Sequence, residues 1–263
     1  MCFKPILIFC LLLSFACNNN TSFSANKPKV VTGNNDNANI KNPYHFIDSI
    51  PLPKGFRRIY ADNDAFAGWL RHIALKEDKT VHLYNGRFKP NQLAQFAVLD
   101  ISVGNKDLQQ CADAVMRLRA EYLFAEKKFD EIIFTDNAHT SYIFKAPYTK
   151  QNFMQYMQQV FGMCGSASLS KQLKPVANLA DIQPGDVLIR GGFPGHAVIV
   201  VDVAVNDKGK KIFMLAQSYM PAQDIHVLVN PMDENLSPWY EVNDENNITT
   251  PEYLFYRNEL KTW

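Results

Sequence analysis

The sequence predicts an α+β fold in which helices pack on an antiparallel sheet. Two observations carry this. Apolar residues recur at helical spacing in two long segments before residue 165, and from Asp181 onward the pattern changes to short β-branched runs separated by tight turns. Helices first and an antiparallel meander after them is the order of an α+β chain rather than of alternating βα units.

In chain order, Asp62 to Leu70 reads as a short capped helix with Phe66, Trp69 and Leu70 on its apolar face. Val81–Tyr84 and Arg87–Phe88 flank Asn85-Gly86, a pair suited to a type I′ hairpin turn. Phe96 to Val103 is the next strand. The longest helical pattern opens at Asp107, with Gln110 completing a capping box, and runs to Lys127 through Leu108, Cys111, Ala112, Val115, Leu118, Tyr122 and Leu123. Asp113, Arg117 and Glu121, four apart, read as ion pairs on its solvated face. A second helix covers Asn152 to Phe161, and Glu131–Phe134 and Tyr142–Phe144 between the helices read as short strands. Asp186–Arg190 is a strand entered through Pro184-Gly185. His196–Val203, apolar on both faces, belongs at the centre of a sheet, and Ile212–Ser218 and Ile225–Val229 extend it.

Residues 1–16 have the form of a secretory signal: one cation, Lys4, an apolar run from Ile6 to Leu13, and small residues before Cys17. That run is too short for the roughly 20 residues that span a bilayer. The Ser14-Phe15-Ala16-Cys17 ending resembles a bacterial lipobox, which implies a lipid on Cys17. Residues 17–42 form a polar tether, in which nine of the 25 residues from Asn18 to Asn42 are Asn, and a single domain is expected over 43–263. Losing Lys4 turns 27 basic against 26 acidic residues into 26 against 26. With no cluster of cations to displace phosphate counterions, nucleic acid is not an expected partner. The expected location is the bacterial cell envelope, periplasm-facing or surface, on a lipid anchor.

After processing two cysteines remain, Cys111 and Cys164. A disulfide, two inert thiols, or one reactive thiol are all open readings. Metal binding is not expected, because Cys-x-x-Cys and His-Glu-x-x-His are absent and the six histidines are dispersed, and no cofactor is implied. A nucleophilic cysteine needs a depressed pKa, a base and a group that orients the base. Cys111 near a helix start, His196 opening a central strand and Gln217 ending the next one supply candidates, with His226 competing for the third place. Asn105 and Gln110 are candidate oxyanion donors, and Trp239 and Tyr240 candidate groove aromatics.

Gln183-Pro184-Gly185-Asp186-Val187-Leu188-Ile189 with Gly195-His196-Ala197-Val198-Ile199-Val200-Val201 resembles the strand pair of the NlpC/P60 and CHAP families. Those families are papain-like cysteine hydrolases that cut amide bonds in peptidoglycan. The segment Leu215-Ala216-Gln217-Ser218-Tyr219 is similar to the strand carrying their third polar residue. That resemblance implies a papain-like fold and a thiol amidase or peptidase acting on peptidoglycan or an envelope peptide. A catalytically silent binding or assembly module on the same fold is the alternative, and thiol acyl transfer a further enzymatic one. Over roughly Pro51 to Phe255, the segments Asp107–Leu123, Gly191–Asp202 and Ala216–His226 resemble a bacterial family known as domain of unknown function 4846, whose usual pattern is longer between Phe134 and Tyr148. In NlpC/P60 proteins the nucleophile's helix leads rather directly into the Pro-Gly-Asp strand. In that register Asn152 takes the nucleophile's place, so Cys111 requires the helix at 152–161 to be an insertion. Cys164, after its helix rather than at the start, is the weakest candidate.

Overall fold

The structure is a computed structural model and describes residues 41–263; the signal, Cys17 and nearly all of the tether lie outside the described residues. Lys41 and Asn42 already belong to the fold, since the Lys41 backbone forms a β-bridge with Asp78 and the Asn42 amide donates to the Glu77 carbonyl. The chain runs β1 (Phe56–Arg58), α1 (Phe66–Arg71), β2 (Gln95–Val98), α2 (Cys111–Ala125), β3 (Ile133–Thr135), β4 (Ser141–Ile143), α3 (Lys150–Met163) and α4 (Ser166–Gln172). It continues β5 (Lys174–Pro175), β6 (Val187–Arg190), β7 (His196–Asn206), β8 (Lys211–Gln217), β9 (His226–Leu228), β10 (Trp239–Glu241), β11 (Asn247–Thr249), β12 (Leu254–Tyr256) and β13 (Leu260–Thr262).

The fold is α+β. The main sheet has the order β2-β9-β8-β7-β6-β13-β5, every pair antiparallel, with β1 on the far end of β7 and β10 on the far end of β8. The expected meander is its centre, β6 to β9. Its edges come from elsewhere in the chain: β2 from the first half on one side, and C-terminal β13 with β5 on the other.

β7 is the spine, and its composition explains why. Ala197, Ile199 and Val201 face the helices, while Val198 and Val200 face a second core with Leu188, Phe213, Leu215 and Phe255. Both faces are covered, so both are apolar. A bulge between Val200 and Asp202 then reverses the alternation: Val203 joins the second core and Ala204 the first. The reversal turns Asp202, fully buried, toward the helices, where Arg58 Nε (2.6 Å) and Arg71 Nε (2.7 Å) donate to its two oxygens.

α2 departs from expectation in two ways. It starts at Cys111 rather than Asp107, because the Asp107 carboxylate accepts from the Ala222 amide (2.7 Å) and from Gln110 Nε2 (3.1 Å). The acid at the helix start is instead Asp113, whose Oδ2 accepts from the Gln110 amide at 3.0 Å. The Asp113–Arg117–Glu121 row is also not solvated. Asp113 and Arg117 are buried, and Arg117 donates to Glu121 and to Gln109 Oε1. A helix held between a sheet and other helices has little exposed face to present. Among the described residues, no helix is long and apolar enough to cross a membrane.

Candidate functional site

Cys111 is the first residue of α2, where amide N–H groups have no intrahelical partner. The helix start is tied to the end of β8: the Ser218 hydroxyl donates to the Gln109 carbonyl at 3.0 Å, and Asp107 holds the Ala222 amide. The thiol accordingly lies against the amides of Ala112 and of Ala197, the residue after His196 on β7. It also lines a cavity of about 260 Å³ with Gln110, Asp113, Cys164, Phe193 and Met220. The loop from Gly191 to Gly195 forms one wall, and Phe193 stands 90% exposed at its mouth. Gly195 has no room for a side chain: a Cβ there would sit 2.3 Å from Ser166 Oγ and 2.6 Å from the Arg190 carbonyl.

His196, at the first position of β7, is buried, its ring flanked by Tyr219 and Tyr253 (centroids at 4.8 Å each) and Phe255 (5.8 Å). Its Nε2 lies 2.8 Å from Gln217 Oε1, and Gln217 Nε2 donates to Glu252 Oε2 at 2.8 Å. Gln217, not His226, is therefore the polar partner of His196. His226 turns its Nδ1 to the Asp224 carbonyl, and its buried Nε2 has no partner. Among the described residues no hydrogen bond joins Cys111 to the imidazole, and His196 Nδ1 has no hydrogen-bond partner.

The electrostatics reverse the expectation of a depressed thiol pKa. Burial, with Asp113 adding to it, pushes the Cys111 thiol up to about 11, and the amides of Ala112 and Ala197 offset only part of this. Burial likewise lowers His196 to about 4. At neutral pH the pair is thiol and imidazole, not thiolate and imidazolium. Asp113 is raised well above the usual carboxylate range, again by burial, and its Oδ1 is buried without a partner.

Other expectations are corrected. Trp239 and Tyr240 are core residues on β10, their polar atoms bound to the Pro51 and Val229 carbonyls, and neither lines the cavity. Asn105 is exposed and does not line it either, whereas Gln110 does. Asn152 belongs to the first turn of α3, where its side-chain Nδ2 donates to the Pro147 carbonyl. It is α2 that packs against β7, with α3 and α4 intervening in sequence. Cys164 follows α3 as expected, yet it lines the same cavity as Cys111, and both thiols are free. Among the described residues, no group of three or more His, Cys, Asp or Glu side chains is placed to hold a metal ion.

Glu252, Lys89 and the aromatics Tyr253 and Phe255 were not marked by any sequence pattern, and Tyr219 only as the end of the Leu215–Tyr219 segment. Glu252 lies 35 residues beyond Gln217 in a Thr-Pro-Glu-Tyr turn that reads as an ordinary loop. No curated protein and no solved structure matches the chain. The family model described as "Domain of unknown function (4846)" matches residues 47–146 and 135–262, and the chain belongs to that family.

Proposed function

We propose that the protein is a lipid-anchored envelope protein whose domain is papain-like and works as a thiol amidase or peptidase on peptidoglycan or a related envelope peptide. The observation that carries this reading is the position of Cys111: first in a helix, lining a cavity, its sulfur one residue along β7 from a His196 whose Nε2 is held by Gln217. The resemblance of the Pro184-Gly185-Asp186 and Gly195-His196 strands to NlpC/P60 and CHAP proteins supports the substrate class.

In the proposed reaction the thiol leaves the Ala197 amide for His196 Nδ1. Sulfur attacks the substrate carbonyl carbon as its proton passes to Nδ1, and the imidazolium gives that proton to the departing amine. The helix-start amides and Gln110 face the developing oxyanion. Water then cleaves the thioester, returning thiol and carboxylic acid. An amine in place of water makes the same site an acyl transferase.

A second reading has its own support. A thiol at about 11 beside an imidazole at about 4 is poorly charged for attack, which favours a silent binding module. Incubating the full chain with purified peptidoglycan and following new amines and released fragments by mass spectrometry separates the two. Release that Cys111→Ala abolishes supports the hydrolase. Binding without release, equal in both proteins, supports the module.

A further inference from the structure

The hydrogen bonds around His196 continue inward to a buried ion pair, and their direction is fixed from that end. Lys89, 3% exposed, donates from Nζ to Glu252 Oε1 at 2.7 Å, and Asn91 Nδ2 donates to the same oxygen at 3.1 Å. Lys89 also donates to the Asn91 carbonyl at 2.7 Å, which holds its ammonium in place. A lysine ammonium can only donate and a carboxylate can only accept. The remaining oxygen, Glu252 Oε2, must therefore face a donor, and the group opposite it at 2.8 Å is the side-chain amide of Gln217. An amide turned with its NH₂ toward Glu252 presents its oxygen in the other direction, to His196 Nε2 at 2.8 Å. That oxygen requires a donor in turn, so the ring proton sits on Nε2. Nδ1 is left with a lone pair.

We propose that Glu252 is a positioning residue: by orienting the Gln217 amide it holds His196 in the Nε2–H tautomer and keeps Nδ1 free as the base for the Cys111 thiol. The assignment of Nδ1 as base rests on the hydrolase reading; the control of the tautomer does not. A Glu252 that served only as a counter-ion for Lys89 would leave the tautomer indifferent to its replacement by a neutral isostere. Tyr253, next in sequence, and Phe255 pack on the same ring. The segment that sets the proton's position thus also sets the ring's plane.

The test is the tautomer of His196, read from the imidazole ¹⁵N resonances of the full chain labelled at histidine, at pH 7 where the buried ring is neutral. The His196 signals are identified by their loss in His196→Asn. Wild type should show Nε2–H. In Glu252→Gln, Lys89 and Asn91 retain the side-chain oxygen, so the new NH₂ faces Gln217. Gln217 must turn its oxygen inward and its NH₂ toward His196, and the ring should invert to Nδ1–H. Combining Glu252→Gln with Gln217→Glu places an acceptor opposite both donors and should restore Nε2–H. Should Glu252→Gln fold poorly, Gln217→Leu serves in its place: with no partner at Nε2, it should give a mixture of tautomers. Peptidoglycan hydrolysis should fall by roughly 100-fold or more on inversion and recover in the double variant. An unchanged Nε2–H in Glu252→Gln, or in Gln217→Leu, overturns the role of Glu252. Inversion without any hydrolysis in wild type overturns the hydrolase reading alone and leaves the tautomer control standing.

Discussion

The sulfur of Cys111 lies against the backbone amide of Ala197, the residue that follows His196 on the central strand. The helix start and the strand start meet at that point, and the chemistry open to the cavity follows from how dry the meeting is. The thiol is 7% exposed and the imidazole 2%, so each is held in its uncharged form.

A thiol raised from an ordinary 9.0 to about 11 has about a hundredfold less thiolate at neutral pH. Cys111 should therefore react slowly with iodoacetamide in the native protein, with a rate that rises about tenfold per pH unit up to pH 11. Cys164, raised to about the same value by its own burial, should follow a similar profile. After unfolding without reductant, mass spectrometry should count two alkylated thiols in the folded domain. His196→Ala should leave the native alkylation rate near that of wild type, because no imidazolium stands beside the resting thiol. A fast Cys111 at pH 7 that His196→Ala slows would contradict the assigned charges.

Both buried histidines should make the fold sensitive to acid. His196 and His226 are each lowered from 6.5 to about 4, first by burial. A base with a depressed folded pKa binds fewer protons than in the unfolded chain, so its contribution is complete above pH 6.5 and is lost as the pH falls toward 4. Each is worth on the order of 3 kcal/mol over that window. Urea midpoints measured from pH 7 to pH 4 should drop steeply, and His226→Gln should flatten part of the slope. A level profile across this window would refute the burial of both rings.

Asp113 should act with the opposite sign. Its raised carboxyl holds a proton that the unfolded chain releases near the ordinary 3.8, so its contribution falls as pH rises through and above that value. Asp113→Asn keeps an oxygen for the Gln110 amide and removes the charge that ionisation leaves buried. At pH 8 it should stabilise the protein by roughly 1–3 kcal/mol and at pH 4 change little. Thermal melts at the two pH values check this, and equal shifts at both would remove the charge argument.

Gly195→Ala should destabilise by roughly 1–3 kcal/mol, since its Cβ must displace both Ser166 and the Arg190 and Gly192 carbonyls. Because Ser166 opens α4 and also lines the cavity, the displacement should change the rate at which Cys111 is alkylated. Urea denaturation reads the first effect and mass spectrometry the second. A variant as stable as wild type would show that the loop yields freely.

The lipid proposal is checked at the N-terminus. Wild type should partition with membranes and begin at a diacylated Cys17, and Cys17→Ala should be released. A mature protein starting elsewhere without lipid would remove the anchor from the proposal.

What the sequence by itself determined is local. The helices at Cys111–Ala125 and Lys150–Met163, the turn at Pro184-Gly185, and the doubly apolar β7 were legible because periodicity, turn residues and β-branching act over a few neighbours. The pairing of His196 with Gln217 was also within reach, since they begin and end consecutive strands of one meander. Tertiary structure alone decided the rest. It placed Asp113 and Arg117 inside, because burial depends on α3 and α4 closing over a face that looks solvated on an isolated helix. It moved Trp239 and Tyr240 into the core by pairing β10 with β8. It carried Glu252 to Gln217 across 35 positions, and Lys89 to Glu252 across 163, by contacts for which sequence spacing carries no signal. It set the charge state of Cys111, because a helix start favours a thiolate only where solvent or a cation offsets the cost of burying one, and here the sulfur is largely buried with no cation beside it.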